Sequence, residues 1–274
     1  MKLYIIGNGF DLMHGMKTSY SDFKDWLLSV GCTEIVEELQ SIYKIQENEE
    51  FVLWADFEKA LGEYDVDVAL NWDFKNIYIT ESIINDQHFF SPDYILNTQL
   101  DDIVNEIFPK WVKQIEISNL PKKELEKGAY YFTFNYTDTL ERLYSIPKEQ
   151  VCHIHGRSAN NEHLTVGHNN YKEPLDYWDD NITFRENNER MQRINNMNNL
   201  CKPIPNLIEQ ATLFFEGLRD VDSIEIIGHS CSKIDIPYFL KIKESCNPKA
   251  KWLFNPYSET DIINIRRLKK YLNI

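Results

Sequence analysis

Four short blocks of the sequence combine residue types that do chemistry. The first, Gly7-Asn8-Gly9-Phe10-Asp11, follows the apolar run Leu3-Tyr4-Ile5-Ile6 directly. Glycine after a buried strand lets the backbone turn tightly and approach a phosphate with no side chain in the way. The third glycine of the full dinucleotide fingerprint is absent, because Leu12 stands there. Asp11 would repel a phosphate unless it takes a sugar hydroxyl or caps a helix. The second block, Thr133-Phe134-Asn135-Tyr136, ends another apolar run, and Thr137-Asp138 opens a helix. Asn135 carries both a donor and an acceptor, which suits it to a ribose or a water. The same residue is equally at home in a turn.

The third block is His153-Ile154-His155-Gly156. Alternate residues of a strand share a face, so His153 and His155 are expected to point the same way. No carboxylate or cysteine follows at a recognisable ligand spacing, so no metal is assigned. Gly156 leaves His155 at the open end of its strand, where it serves either as a general base or as a hydrogen-bonded structural histidine. The ordinary histidine pKa of about 6.5 suits the former role. The fourth block is Gly228-His229-Ser230, with Asp235 and Ile236-Pro237 starting the next helix. A serine nucleophile elbow is excluded: position 232 is Ser, and no histidine follows His229. Ser230 is expected to meet a ribose or a phosphate instead.

These blocks need strands to hold them. Apolar runs at 3–6, 130–135, 151–155, 224–227 and 252–254, with a weaker one at 164–166, alternate with helical patterns. Buried runs separated by helices define an α/β fold, a Rossmann-like parallel sheet covered on both faces. Residues 20–125 read as a large helical insertion after the first strand, with a kink or break at Pro109. Residues 170–200, rich in Asn, Asp, Glu and Arg, read as a lid or exposed loop within a single domain spanning 1–274. Thr260-Asp261 caps a closing helix with Ile262, Ile265, Leu268 and Leu272 on one stripe. All four chemical blocks then lie at carboxyl ends of parallel strands, which in an open sheet converge on one crevice.

Composition narrows the partners. A chain of 274 residues that is 43% hydrophobic has ample material for a core. Lys and Arg total 29 against 43 Asp and Glu, a net charge of -14 that disfavours nucleic acid. The five cysteines are odd in number and form no Cys-x-x-Cys pair, which fits a reducing cytoplasm. No basic leader segment and no window of about 18 apolar residues occurs, so a cytoplasmic protein with no membrane partner is expected.

The stretch from Tyr4 to Leu12, followed by His14-Gly15 and Thr18-Ser19-Tyr20, resembles the bacteriophage abortive-infection AbiH family, and the three later blocks match it too. The same blocks are more distantly similar to sirtuin-like NAD-consuming domains. That resemblance implies an anti-phage protein with a sirtuin-like sheet that binds NAD, or a related nucleotide, and cleaves its nicotinamide–ribose bond. By matching, Asn135 and His155 are the catalytic candidates. Gly7, Asn8, Gly9, Phe10, Asp11, Thr133, Gly228, His229, Ser230 and Asp235 are the nucleotide-binding candidates. NAD would be the substrate, no further cofactor would be required, and a phage-encoded trigger and a homo-oligomer are the implied partners. Thr137 stands where the sirtuin-like domains carry Asp, with Asp138 one step late. The zinc module of protein deacylases is missing, which disfavours that reaction. Three other readings are a non-catalytic sensor of NAD or ADP-ribose, a metal-dependent nuclease or phosphohydrolase using His153 and His155, and an interaction scaffold.

Overall fold

A computed structural model describes residues 1–42, 57–63, 77–78, 95–96, 102–119, 121, 123–160 and 162–274. The apolar runs become strands β1 (Lys2–Ile6), β4 (Tyr130–Thr133), β5 (Val151–His153), β6 (Ser223–Ile227) and β7 (Lys251–Phe254), while β2 (Ile77–Tyr78) and β3 (Ile95–Leu96) form a separate antiparallel ladder. The five form one sheet in the order β5-β4-β1-β6-β7. Every pairing is parallel. The chain steps outward from β1 through β4 to β5, then returns to the other side of β1 for β6 and β7. The topological switch point of this Rossmann-like arrangement is therefore the junction of β1 and β6.

Strand alternation builds two cores. Leu3, Ile5, Phe132, Ile224 and Ile226 pack with Phe239, Leu268 and Leu272 on one face. Tyr4, Ile6, Tyr131 and Ile227 pack with Phe10 and Leu140 on the other. Glu225 in β6 is buried against Lys2 at 2.8 Å and Lys123 at 2.7 Å, so its charge is paired. Two strands stop two residues before the end of their apolar runs. At β4 the Asn135 N–H turns to the Thr133 side chain at 3.1 Å, a local bond that replaces the ladder. At β5 the Gly156 N–H bonds the His153 carbonyl at 3.1 Å, closing a turn. Residues 164–166 form no strand. The closing helix Glu259–Leu272 starts at Ser258, whose capping box with Asp261 displaces the expected Thr260 cap.

The chain divides into two compact units. One comprises Met1–Thr18, Val112–Thr165 and Pro203–Ile274 and carries the whole parallel sheet. The other comprises Ser19–Trp111 and Val166–Lys202. Its described residues include the helices Tyr20–Ser29, Thr33–Ile42 and Phe57–Leu61. The Phe23 ring lies 5.2 Å from Phe108 and 5.8 Å from Phe57. A π-helix, Ile103–Ile107, runs into the α-helix Phe108–Gln114, and the change falls just before Pro109, whose missing N–H breaks the regular ladder. The rest of the insertion, at 43–56, 64–76, 79–94 and 97–101, lies outside the described residues.

The stretch 170–200 is not a continuous loop: it contains the 16-residue helix Phe184–Asn199. A Thr183–Glu186 capping box starts this helix, and Ile194 and Met197 bury one face. Its many asparagines lower helix propensity without removing that stripe. Among the described residues no helix is long and apolar enough to cross a membrane.

Candidate functional site

The switch point is closed by the turns expected to open it. The Gly7 N–H donates to the Ile227 carbonyl at 3.0 Å, and the Gly9 N–H donates to the Gly228 carbonyl at 2.8 Å. The Phe10 N–H bonds the Gly7 carbonyl at 2.9 Å. A Cβ on Gly7 would stand 2.7 Å from the Gly228 carbonyl oxygen, and one on Gly9 2.8 Å from the Gly228 Cα. Gly228 has φ +65°, and a Cβ there would meet the Phe10 nitrogen at 2.2 Å. These glycines let two turns interlock: of the N–H groups from Gly7 to Gly9, expected to cradle a phosphate, those of Gly7 and Gly9 are engaged inside the fold, as is that of Phe10. The Asn8 amide closes the same loop by donating to the Thr18 carbonyl at 2.8 Å.

Beside this junction, on the β4 side, lies a buried polar cluster. Asp11 is 1% exposed in the short helix Gly9–Met13. Its Oδ2 accepts from the Thr137 hydroxyl at 2.5 Å, while its Oδ1 has no hydrogen-bond partner among the described residues. Asn135 is 7% exposed and Thr18 8%, and Asn135 Oδ1 and Thr18 Oγ1 also lack partners. Burial raises the Asp11 carboxyl above its ordinary value, against the opposing pull of Thr137, Thr139, His14 and Asn135. Thr133 does not reach this space: its hydroxyl accepts the Asn135 N–H and fixes that residue's backbone. His14 braces the floor, with Nδ1 at 2.6 Å from the Phe10 carbonyl and Nε2 at 2.6 Å from the Tyr144 hydroxyl. The first contact requires a proton on Nδ1.

The two expected catalytic residues have different neighbours. Asn135 acts on Asp11. His155 is buried among Phe134, Tyr136 and Tyr238, and its Nε2 lies 3.3 Å from the Tyr238 hydroxyl. His153 and His155 do not converge, because β5 ends at His153 and the alternation ends with it. His153 Nδ1 lies 3.2 Å from the Asn135 carbonyl, and its Nε2 lies 2.9 Å from Glu141 Oε1. Arg157 reaches the same oxygen at 2.9 Å. Burial alone would raise the Glu141 carboxyl, but His153 and Arg157 hold it below the carboxylate range.

At the end of β6 the Cys231 N–H donates to His229 Nδ1 at 2.9 Å. His229 Nε2 therefore carries the proton and faces Asp235 Oδ2 at 3.4 Å. Ser230 is exposed, and its carbonyl accepts from the Asn264 amide at 3.0 Å. All five cysteines are free thiols. Burial pushes Cys231 and Cys246 up to about 12, far from a reactive thiolate. Among the described residues no three His, Cys, Asp or Glu side chains gather to hold a metal.

A cavity of about 210 Å³ adjoins the cluster, and Thr137 belongs to both. Asp138, Arg142, Ser158 and Lys113 also line it. Sequence reasoning missed Thr137, Glu141, Tyr238 and Lys113 as parts of the site. Glu141 falls in the first turn of the helix Thr139–Tyr144 and was within reach of a helix-spacing argument, whereas Thr137 precedes that helix and meets Asp11 only through the fold. Nothing in the sequence links Tyr238 or Lys113 to strand ends about a hundred residues or less away in the chain.

A Rossmann-like sheet with a buried carboxylate, an amide and hydroxyls at its carboxyl rim defines an α/β protein with a polar rim site. The model of the family described as Bacteriophage abortive infection AbiH matches residues 3–256, and the chain belongs to that family. The family points to an anti-phage, abortive-infection role. No curated protein and no solved structure gives a significant match.

Proposed function

We propose that this abortive-infection protein binds a nucleotide at the rim beside β1 and β4 and hydrolyses the nicotinamide–ribose bond of NAD. The observation that carries the reading is the pair of buried, unpartnered oxygens, Asp11 Oδ1 and Asn135 Oδ1. Buried acceptors without donors are costly, at about 1–3 kcal/mol each, unless something supplies the donors. Ribose hydroxyls are donors, whereas a phosphate offers none at neutral pH. The support is thus for sugar recognition at this point, with the phosphates elsewhere.

The chemistry needs little beyond positioning. NAD and water give nicotinamide, ADP-ribose and a proton. Nicotinamide leaves as a neutral base from a cationic ring, so no general acid is needed. Positive charge grows on the ribose ring as the bond breaks, as in glycoside hydrolysis. The Asp11 carboxyl faces that growing positive charge, which favours its ionised form and is stabilised by it at close range and low dielectric. Asn135 holds a ribose hydroxyl. His155 takes the proton from the attacking water, in contact with the Tyr238 hydroxyl.

The test is nicotinamide release from NAD by the purified chain, with Asn135→Ala and His155→Ala beside the wild type. Losing one positioning or proton-transfer group is expected to lower the rate about 10²–10⁴-fold. Equal rates in all three proteins, or no release by any, remove the reading. The engagement of the Gly7, Gly9 and Phe10 N–H groups inside the fold favours one second reading, a sensor that binds without turnover. Calorimetry showing ADP-ribose binding by a chain that releases no nicotinamide would select it.

A further inference from the structure

With the Gly7, Gly9 and Phe10 N–H groups engaged inside the fold, the turn offers little to a nucleotide's anionic part, and the cavity beside Thr137 has the chemistry to take it. We propose that this cavity is an anion subsite that takes a phosphate or diphosphate group. Its cations are Lys113, from the last turn of the helix Phe108–Gln114, and Arg142, from the helix Thr139–Tyr144. Among the described residues Asp138 is the one carboxylate in its wall, and Arg142 stands 3.7 Å from it. Two cations against one carboxylate leave a positive balance, in a chain whose net charge is -14. The Ser158 hydroxyl adds a neutral donor. Val112, Ile115 and Ile117 complete the wall.

Size selects what fits. A cavity of about 210 Å³ is below the roughly 300–1,000 Å³ of sites that enclose a whole drug-sized ligand. That size suits a phosphate or diphosphate group and not a whole dinucleotide. Position selects the rest of the ligand. Thr137 donates its hydroxyl proton to Asp11 on one side and forms the cavity wall on the other. A sugar held at Asp11 and Asn135 would send its 5′ phosphate past Thr137 into the cavity. The proposal rests on the nucleotide reading for the identity of the whole ligand, but an anion alone can test the subsite.

The probe is inorganic pyrophosphate, titrated calorimetrically into the full chain at low salt. The wild type should bind it, and added salt should weaken the binding. Lys113→Ala combined with Arg142→Ala should lower the affinity at least about tenfold, with an unchanged melting temperature, because both side chains are solvent-facing. Lys113→Arg with Arg142→Lys should restore most of it. No pyrophosphate binding by the wild type, or equal affinity in the double alanine variant, overturns the proposal. The hydrolase reading fails separately. Pyrophosphate bound through these two cations with no nicotinamide release leaves the subsite standing and removes the hydrolase. Release of nicotinamide with one KM for NAD in wild type and double variant removes the subsite and keeps the hydrolase.

Discussion

Asp11 sits at 1% exposure with Oδ2 bonded to Thr137 and Oδ1 without a partner. Its folded-state pKa is raised, with burial the leading cause. The folded chain therefore holds the Asp11 proton more tightly than the unfolded chain does, where the value is about 3.9. That contribution to stability is complete in acid and is lost as pH rises through the folded-state value. Once ionised the group is a liability to the fold, and a binding site that needs the charge would retain it anyway. Asp11→Asn should expose the conflict. The amide keeps the shape, can still accept from Thr137 and carries no charge to bury. The variant is expected to gain about 0.5–2 kcal/mol in stability at pH 7 while losing nucleotide binding. Thermal melting at several pH values checks it, with the gain over wild type shrinking as pH falls. A variant less stable than wild type at pH 7 would mean that the charge supports the fold.

At the scale of elements, the interlocked turns after β1 and β6 are the joint of the sheet. Gly228 combines φ +65° with a Phe10 nitrogen 2.2 Å from where a Cβ would lie, whereas Gly15 has φ +76° with nothing within 4 Å. Both substitutions by alanine carry the left-handed penalty of about 1–2 kcal/mol. Only Gly228→Ala must also push two turns apart, so it is expected to cost about 3 kcal/mol or more, against about 1 for Gly15→Ala. Denaturant midpoints for the two variants measure the difference, and equal midpoints would refute the interlock. The turn itself was legible, because Ile6-Gly7 and Ile227-Gly228 end apolar runs. Its purpose was not, because the same glycine signals a phosphate loop or a close approach to another backbone. Only the fold brings residue 228 to residue 7. The strands were legible as buried apolar runs, but their ends at Thr133 and His153 depend on local hydrogen bonds that periodicity does not see. The helix Phe184–Asn199 was hidden by polar composition, although the Thr183–Glu186 box stood in the sequence. That Asp11 would repel a phosphate was legible from its charge. Its neighbour Thr137 became visible only as a contact.

At the scale of the whole molecule, the two units contain different buried titrating groups, so acid should act on them differently. In the unit without the parallel sheet, His168 is 2% exposed. The Asn170 N–H donates to its Nδ1 at 3.0 Å, and its Nε2 lies 3.0 Å from the Met197 carbonyl. That pattern fits the neutral ring with the proton on Nε2, and a second proton on Nδ1 would face the Asn170 N–H. Burial lowers the His168 pKa, and the charges of Lys172 and Lys202 lower it further, against the Met197 bond. The unfolded chain, with a histidine value of about 6.5, then binds the proton before the folded chain does. Stability is complete above that value and falls as pH drops through it, by at most about 1.4 kcal/mol per pH unit for one group. Nearing the pI of about 5.0 reduces self-repulsion and works in the opposite sense, so the wild type alone is ambiguous. His168→Gln separates the two effects. Its amide N–H can replace Nε2–H toward Met197, and it does not titrate. Its melting temperature should fall less than that of the wild type between pH 7.5 and pH 5.5, and parallel curves for the two proteins would show that His168 is not the group that acid attacks.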